Sequence, residues 1–174
     1  MDQRSAVAAP VGNDKRERIL NAAIKVFAKN GFYATRVSDI AKAAGVADGT
    51  IYLYFKNKDD VLITVFDEGI NRLLHILRDA VASSPNVETR ITHIIELQLG
   101  LLQDQRDLAE VITVNLRQSS QSAQAPAAPL FMQYLELIAT VIRDCQKSGE
   151  TRSAINARVA ARALWGGLDG LLLT

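Results

Sequence analysis

The chain has 174 residues, of which 48% are hydrophobic and 22% are charged, and its formal net charge is +1. This composition is typical of a globular protein with a buried core, and it excludes an intrinsically disordered chain. The single cysteine, Cys145, excludes an internal disulfide and favours a reducing compartment, so we expect a cytoplasmic protein. We find no uninterrupted apolar stretch long enough for a membrane span and no secretory signal, which predicts no membrane contact.

The basic charge is concentrated in the first third of the chain. Residues 1–60 carry ten Lys or Arg and seven Asp or Glu, whereas residues 61–174 carry ten and twelve. A DNA-binding domain needs basic residues to neutralise phosphates, so this asymmetry favours a DNA-binding front part without establishing it.

Apolar residues recur at helical spacing from Asp14 onward, and glycine or capping residues separate the repeats. Gly31 and Gly45 each follow such a repeat, as expected of the left-handed residue that ends a helix. Asn57 has the chemistry of an N-cap and is followed by two acidic residues in the first turn. Residues 1–13 show no such pattern and predict a flexible tail. The predicted helices of this part cover residues 14–30, 37–44, 49–54 and 57 to about 83.

The rest of the chain predicts further helices. The stretch from Ser119 to Pro129 is small, polar and proline-bearing, which predicts a loop, and Pro129 fits the first turn of the helix after it. No alternating strand pattern and no internal repeat is visible. The fold class is therefore all-α, with a helix-turn-helix domain over residues 14–60 and a helical ligand-binding and dimerisation domain over 61–174. The helices of this second part are predicted from residues 86, 106, 129 and 156.

Residues 35–58 predict a helix-turn-helix. Two short helices flank Gly45, and the second is too short to be stable in isolation. Such a helix is useful when it must be presented to another macromolecule, as in the DNA major groove, which is about 12 Å wide. We expect a small core to fix the angle between the two helices, formed by Ile40, Ala44, Val46, Ile51 and Phe55.

Side chains outside that small core are the candidate DNA contacts. The first turn of the third helix and Tyr52 would face base edges, and the residues after Tyr52 would lie near phosphates. Hydroxyls and backbone amides at the start of the second helix can also bind a phosphate. Taken singly, the tyrosines could be core aromatics and the lysines a solvated pair, but together in this order they favour DNA binding. The candidates are Thr35, Ser38, Ala47, Gly49, Thr50, Tyr52, Tyr54, Lys56 and Lys58.

Asp48 departs from what a phosphate-binding surface requires, because an acidic side chain repels phosphates. Two roles are open. The carboxylate caps the third helix or complements its dipole, as acidic residues in first turns commonly do. Alternatively, it accepts a hydrogen bond from a cytosine N4 amine.

The motif resembles the DNA-binding domain of TetR-family repressors. Asn-Gly-Phe ends the first helix, and Ala-Gly-Val, Gly-Thr-Ile-Tyr and Tyr-Phe-Lys-Asn-Lys follow, so that the resemblance covers residues 15 to about 66. It implies an all-α homodimer joined through its C-terminal helices, a palindromic double-stranded operator and an effector pocket in the C-terminal bundle. It also places all the candidate contacts except Lys56 on the family's DNA-contacting positions. Finally, it implies one more helix after Thr174, so the printed sequence is expected to lack part of the dimer interface.

Two patches resemble the acyl-CoA-responsive fatty-acid-degradation regulators (FadR-like) of that family. They are the run GVADGTIYLYFKNKDDVLITVF and the LRQS at 116–119. This resemblance implies a repressor of fatty-acid degradation genes that long-chain acyl-CoA releases from its operator. The alternative is a TetR-like repressor of an efflux or other gene that responds to a different hydrophobic small molecule.

An acyl-CoA needs an apolar chamber for its tail and cations for its phosphates. Nine of the ten cations beyond residue 60 are arginine, the better bidentate phosphate partner. The competing interpretation is that the apolar residues are ordinary bundle core and the arginines ordinary surface. The candidate effector-binding residues are Arg72, Arg78, Leu101, Leu102, Arg106, Ile112, Arg117, Phe131, Tyr134 and Ile138.

Other chemistry finds little support in the sequence. We find no nucleophile–base pair, phosphate loop or metal-ligand spacing, so we expect no enzyme and no cofactor, with acyl-CoA as effector. His75 and His93 lack a partner at ligand spacing. Glycines at 166, 167 and 170 weaken the last helix by about 1 kcal/mol each relative to alanine. We therefore expect another backbone to approach there, as at a dimer interface.

Overall fold

The computed structural model describes residues 15–115, 121–149 and 154–172, and every regular element within them is helical. The predicted tail at residues 1–13 and the first residue of the predicted α1, Asp14, lie outside the described residues. The helices are α1 (Lys15–Asn30), α2 (Val37–Ala44), α3 (Asp48–Tyr54), α4 (Lys58–Ser83), α5 (Val87–Asp104), α6 (Arg106–Glu110), α7 (Gln121–Lys147) and α8 (Ala157–Leu172).

Capping residues set most helix ends where the sequence predicts them. Gly31 and Gly45 have φ of 76° and 66°, the left-handed region that other residues rarely adopt. The side chains of Asn57 and Asn86 each accept a hydrogen bond from a backbone N–H in the first turn, at 2.8 and 2.9 Å. Asn156 does the same at the start of α8. These caps satisfy donors that have no partner inside the helix.

The predicted loop over residues 119–129 is wrong from Gln121 onward, because α7 already begins there and contains both Pro126 and Pro129. Residues 119 and 120 lie outside the described residues. Each proline removes one backbone donor, and both lie beyond the first four residues of the helix, so each costs an intrahelical hydrogen bond. Ala127 between them is buried in the core, so tertiary packing outweighs the local signal.

The helix predicted from Arg106 to Gln118 changes its winding part-way. After α6, residues Val111–Asn115 form a π-helical segment, and residues 116–118 lie outside the described ones. This segment and α6 pack on α4 at Gly69, where an added β-carbon would lie 2.9 Å from Ile112 Cδ1 and 3.3 Å from Leu108 Cδ1. The absence of a side chain at Gly69 therefore sets how closely α6 approaches α4.

One continuous core joins the front of the chain to the rest. Buried residues of α1–α3 belong to the same hydrophobic cluster as those of α4, α5, α7 and α8. The ion pair between Arg16 of α1 and Glu68 of α4, at 2.6 Å, adds a link between the two parts. α4 also packs along α7, which in turn packs along α8.

By length and composition alone, the stretch Ala125–Lys147 of α7 could cross a membrane, contrary to our expectation that no stretch of the chain is apolar enough. In the structure this helix packs against α4, α5 and α8. Its Glu136 pairs with Arg143 at 2.7 Å and with Arg158 of α8 at 3.0 Å. Packing within the bundle buries about 33% of this stretch.

Candidate DNA-binding surface and effector site

The third helix, α3, turns three consecutive side chains to the exterior. Ile51 and Phe55 are buried and anchor the helix to the core. Between them, Tyr52, Leu53 and Tyr54 are 58%, 81% and 41% exposed. The two tyrosines are therefore not core aromatics, and the short helix is held by its ends with its middle outside.

The angle between α2 and α3 is fixed by buried side chains and by backbone hydrogen bonds. Ile40 is fully buried under the turn, whereas Ala44 and Val46 of the predicted small core are only half-buried. The Arg18 guanidinium of α1 donates to the carbonyl of Ala44 at 3.1 Å, which satisfies an acceptor at the end of α2. These contacts hold the turn rigidly, as a surface that recognises a fixed groove requires.

Asp39 fixes the start of α2. Its carboxylate accepts a hydrogen bond from the backbone N–H of Arg36 at 2.8 Å. Ser38 and Arg36 are exposed beside it. The side chain of Ser38 is therefore accessible from outside, and its contact with a phosphate stays a prediction.

Thr35 and Lys58 differ from the roles predicted for their side chains. Thr35 is 1% exposed, and its hydroxyl donates to the carbonyl of Gly31 at 2.8 Å. The Lys58 ammonium donates to the carbonyls of Phe32 and Thr35 at 2.7 and 2.8 Å and lies 4.4 Å from the centre of the Phe32 ring. Because α4 begins over the α1–α2 loop, both side chains stabilise that loop from inside.

The environment of Lys58 affects its ionisation. Burial lowers the pKa of its ammonium from the usual lysine value, and the neighbouring Asp59 carboxylate opposes that change. The backbone carbonyls around the group are acceptors for its protons, so they favour the charged form.

The start of α3 is formed by small and acidic residues. Ala47 occupies the N-cap position without a side-chain hydrogen bond, and Asp48 is the first helical residue. Asp48 is therefore not the cap, and the dipole and base-contact roles remain for its exposed carboxylate. Gly49 is exposed and Thr50 is half-buried on the same turn.

Lys56 and two residues that the sequence analysis omitted complete this face. Lys56 is exposed, and its backbone N–H donates to the Asp60 carboxylate at 2.8 Å. Leu53 lies one helical turn after Gly49, and that spacing could have identified it. Tyr33 of the α1–α2 loop is 71% exposed, and nothing in the helical pattern singles out a loop residue.

A basic groove lies beside this face, between α1 and α2. It has a volume of about 450 Å³ and is open to solvent. Lys25 and Lys29 of α1 and Lys42 of α2 line it, with Asp39 as the acidic member. The charge of the front part of the chain is thus concentrated on its outer surface.

The predicted effector residues divide into a buried apolar group and an exposed basic group. The buried members are Leu101, Ile112, Tyr134 and Ile138, and the half-buried ones are Leu102 and Phe131. The exposed members are Arg72, Arg78 and Arg106. Arg117 lies outside the described residues. The rings of Phe131 and Tyr134 both pack edge-on against Trp165. Their centroids lie 5.0 and 5.1 Å from the centroid of the Trp165 ring.

A small cavity lies at the junction of α1, α4 and α6. Its volume is about 70 Å³, and its lining includes Leu20, Gly69, Arg72 and Leu108. Pockets for small ligands are typically about 300–1,000 Å³. This cavity is therefore too small for an acyl tail, although it marks where the DNA-binding part meets the body.

Two family patterns together match residues 19–174 of the chain. Residues 19–65 match the pattern of "Bacterial regulatory proteins, tetR family", and residues 66–174 match that of "YsiA-like protein, C-terminal region". A fatty acid metabolism regulator protein of Bacillus subtilis (strain 168) is 33% identical over 160 residues, which is 92% of this chain and 82% of the relative.

The chain belongs to the TetR family. It is a DNA-binding transcriptional regulator with an N-terminal helix-turn-helix domain and a C-terminal helical domain, as predicted. The TetR-family relative described above is a regulator protein rather than an enzyme.

Solved structures agree with this assignment. The fatty acid degradation regulator FadR from Bacillus halodurans is 34% identical with a TM-score of 0.83, covering 92% of this chain and 83% of that one. FadR from Bacillus subtilis, solved in complex with stearoyl-CoA, is 33% identical with a TM-score of 0.79, covering 89% and 83%. The similarity extends over both domains of this TetR-family chain.

Proposed function

We propose that this protein represses fatty-acid degradation genes and leaves its operator when it binds long-chain acyl-CoA. The observation that carries the proposal is the similarity to a regulator solved with stearoyl-CoA, because it covers the effector domain as well as the helix-turn-helix. Such coverage matters since a shared DNA-binding domain alone would not indicate a shared effector.

The operator interface consists of the exposed side of α3 and the start of α2. The residues that approach base edges are Gly49, Thr50, Tyr52 and Leu53. The side chain of Ala47 is small, so the backbone at the start of α3 can approach the DNA closely. The hydroxyls of Ser38 and Tyr54 and the ammonium of Lys56 bind phosphates. Thr35 and Lys58 act indirectly, by fixing the loop that carries Tyr33.

A homodimer formed through the C-terminal helices places two such surfaces on a palindromic operator. Val159, Ala163, Gly166 and Gly170 form one exposed stripe on α8. An added β-carbon at Gly166 or Gly170 would meet nothing within 4 Å in one chain. This open stripe of small residues suits the close approach of a second helix.

The effector occupies the helical body, with its acyl tail among the buried apolar residues of α5 and α7. The exposed arginines Arg72, Arg78 and Arg106 are available to the CoA phosphates at the surface. Since α6 packs on α1 and the π-helical segment after it packs on both α1 and α4, a ligand that displaces these two segments also moves the DNA-binding helices. We place the protein in the cytoplasm, where DNA and acyl-CoA both occur.

Native mass spectrometry of the purified protein, followed by operator binding, tests this proposal. We expect a dimer that carries or accepts acyl-CoA, and release of fluorescent operator DNA on addition of palmitoyl-CoA. The operator is obtained by selecting bound fragments from random DNA. Release by a cationic or aromatic drug, with no response to palmitoyl-CoA, would instead support the alternative effector class.

A further inference from the structure

A buried amide in the helical body has a donor without an acceptor. Gln98 of α5 is 6% exposed and lies between the buried Ile94 and Leu101 on the inner face of its helix. Its Nε2 has no hydrogen-bond partner among the residues that the structure describes. Buried N–H groups are almost always paired, so an unpaired one indicates a group that is still to be bound.

Tyr134 of α7 fixes the orientation of this amide. The hydroxyl of Tyr134 interacts with the Gln98 side chain, so the two polar groups lie next to each other inside the bundle. Burial raises the pKa of Tyr134 to about 12, so the hydroxyl keeps its proton at physiological pH. Trp165 packs against the tyrosine ring with centroids 5.1 Å apart. Tyr134 is thus held in place beside the amide.

The buried polar side chains of the described residues, Gln98 included, are uncharged. Asn115 of the π-helical segment donates to the carbonyl of Glu110 at 3.4 Å, while its Oδ1 has no partner among the described residues. Thr113 donates to the carbonyl of Ala109 at 2.7 Å. No lysine or arginine is among the fully buried side chains of the described residues. A carboxylate brought to this place would be buried without a cation, whereas a neutral carbonyl would not.

We propose that Gln98 Nε2 donates a hydrogen bond to the carbonyl oxygen of a fatty acyl thioester held in the helical body. The inference rests on the proposed effector function and specifies its chemistry. The amide binds the neutral thioester carbonyl, and Tyr134 is the positioning residue that orients the amide. A free fatty acid is rejected because its carboxylate finds no cation there.

A pair of CoA ligands that differ only in the carbonyl tests this proposal. The chain has one tryptophan, Trp165, so its fluorescence reports binding beside Tyr134. Titration of the full chain compares palmitoyl-CoA with its thioether analogue S-hexadecyl-CoA. We expect the wild-type protein to prefer the thioester by about fivefold to a hundredfold, since the thioether leaves the amide unpaired. The Gln98→Leu variant should bind both with equal affinity.

Gln103→Leu is the matched control, because Gln103 is exposed on the same helix and its replacement should keep the preference. If Gln98→Leu folds poorly, the double variant Gln98→Leu/Tyr134→Phe removes both polar groups together and serves the same purpose. A preference for the thioester that persists without Gln98 would overturn the inference and leave the proposed function intact. Failure of the wild-type protein to bind either ligand would refute both.

Discussion

Leu53 is an apolar side chain on the part of α3 that lies farthest outside the core. At 81% exposure it contributes almost nothing to folding, while its neighbours Ile51 and Phe55 are buried. The thymine methyl group is the apolar feature of the DNA major groove, so an exposed leucine on this helix has a complementary partner there. We expect the operator to cover this leucine in the complex.

Replacing Leu53 by alanine should therefore weaken operator binding without affecting folding. We expect a loss of about 1 to 2 kcal/mol, a factor of roughly 5 to 30 in affinity, because apolar surface no longer becomes buried. Fluorescence anisotropy with operator DNA measures the affinity, and thermal unfolding measures the stability. Leu99→Ala, at an exposed leucine of α5, is the control and should leave operator affinity unchanged. An unaltered affinity in Leu53→Ala would remove this residue from the interface.

Lys58 distinguishes a structural lysine from a phosphate-binding one. Its ammonium is hydrogen bonded to the carbonyls of Phe32 and Thr35, so Lys58→Met should lower the free energy of unfolding by about 1 to 3 kcal/mol. The slope of log affinity against log salt concentration should stay unchanged. The exposed Lys56 is the matched control, and Lys56→Met should lower that slope by about 0.9 with little change in stability. A reduced salt slope in Lys58→Met would show instead that the Lys58 ammonium contacts a phosphate.

The sequence indicates which residues surround the DNA-binding surface better than it indicates where each side chain points. The exposure of Tyr52 follows from the helix-turn-helix pattern, because Ile51 and Phe55 must be buried. The inward orientation of Thr35 and Lys58 depends on how α4 folds back over the preceding loop, which no local pattern encodes. Gln98 escapes notice for the same reason, since a glutamine in a helix is ordinarily exposed.

At the scale of elements, Gly69 sets the contact of α4 with the π-helical segment that follows α6. A valine there would meet Ile112 Cδ1, which lies 2.9 Å from an added β-carbon. We expect Gly69→Val to destabilise the protein by about 1 to 3 kcal/mol through overpacking. Adding Ile112→Ala should restore part of the loss, as a coupling energy in thermal or urea unfolding. Gly100→Val is the control, because an added β-carbon there meets nothing within 4 Å. Strictly additive effects would contradict this account of the interface.

Glu136 links α7 to α8 and gives the fold a dependence on pH. Hydrogen bonds from Arg143 and Arg158 lower the pKa of its carboxyl below the usual value of 4.5. A carboxyl with a lowered folded-state pKa stabilises the fold above its unfolded-state pKa and loses that contribution as the pH falls. Glu136→Gln should therefore show a smaller loss of melting temperature on acidification than the wild type. The side chain is exposed, so the effect is small, and Glu96→Gln is the control. An acid response identical to the wild type would refute the role of this pair.

Helix existence is predictable from caps and spacing, whereas helix winding and some boundaries are not. Gly31, Gly45 and Asn57 set the ends of α1, α2 and α4 where local chemistry requires. The first turns of α7 contradict their own sequence, because Pro126 and Pro129 favour a loop while the buried Ala127 is held by packing. The π-helical segment after Glu110 has no sequence signal that we can identify. In both places long-range contacts decide the conformation.

At the scale of the whole molecule, one hydrophobic core extends from α1 to α8, with α4 shared by the DNA-binding and effector parts. A ligand that changes the packing around α6 cannot leave α1 and α4 unaffected, because α6 packs on α1 and, at Gly69, on α4. Under the proposed function, effector and operator therefore act on one connected core. Thermodynamic linkage requires that each changes the affinity for the other by the same factor, and the proposed release by acyl-CoA makes that change a weakening.

That reciprocity is the most direct test of the account. Operator affinity is measured by anisotropy with and without saturating palmitoyl-CoA, and palmitoyl-CoA affinity is measured with and without saturating operator. We predict that both dissociation constants rise by the same factor, about 5- to 150-fold for a typical coupling free energy. An operator affinity that stays the same when the protein is saturated with palmitoyl-CoA would contradict the account.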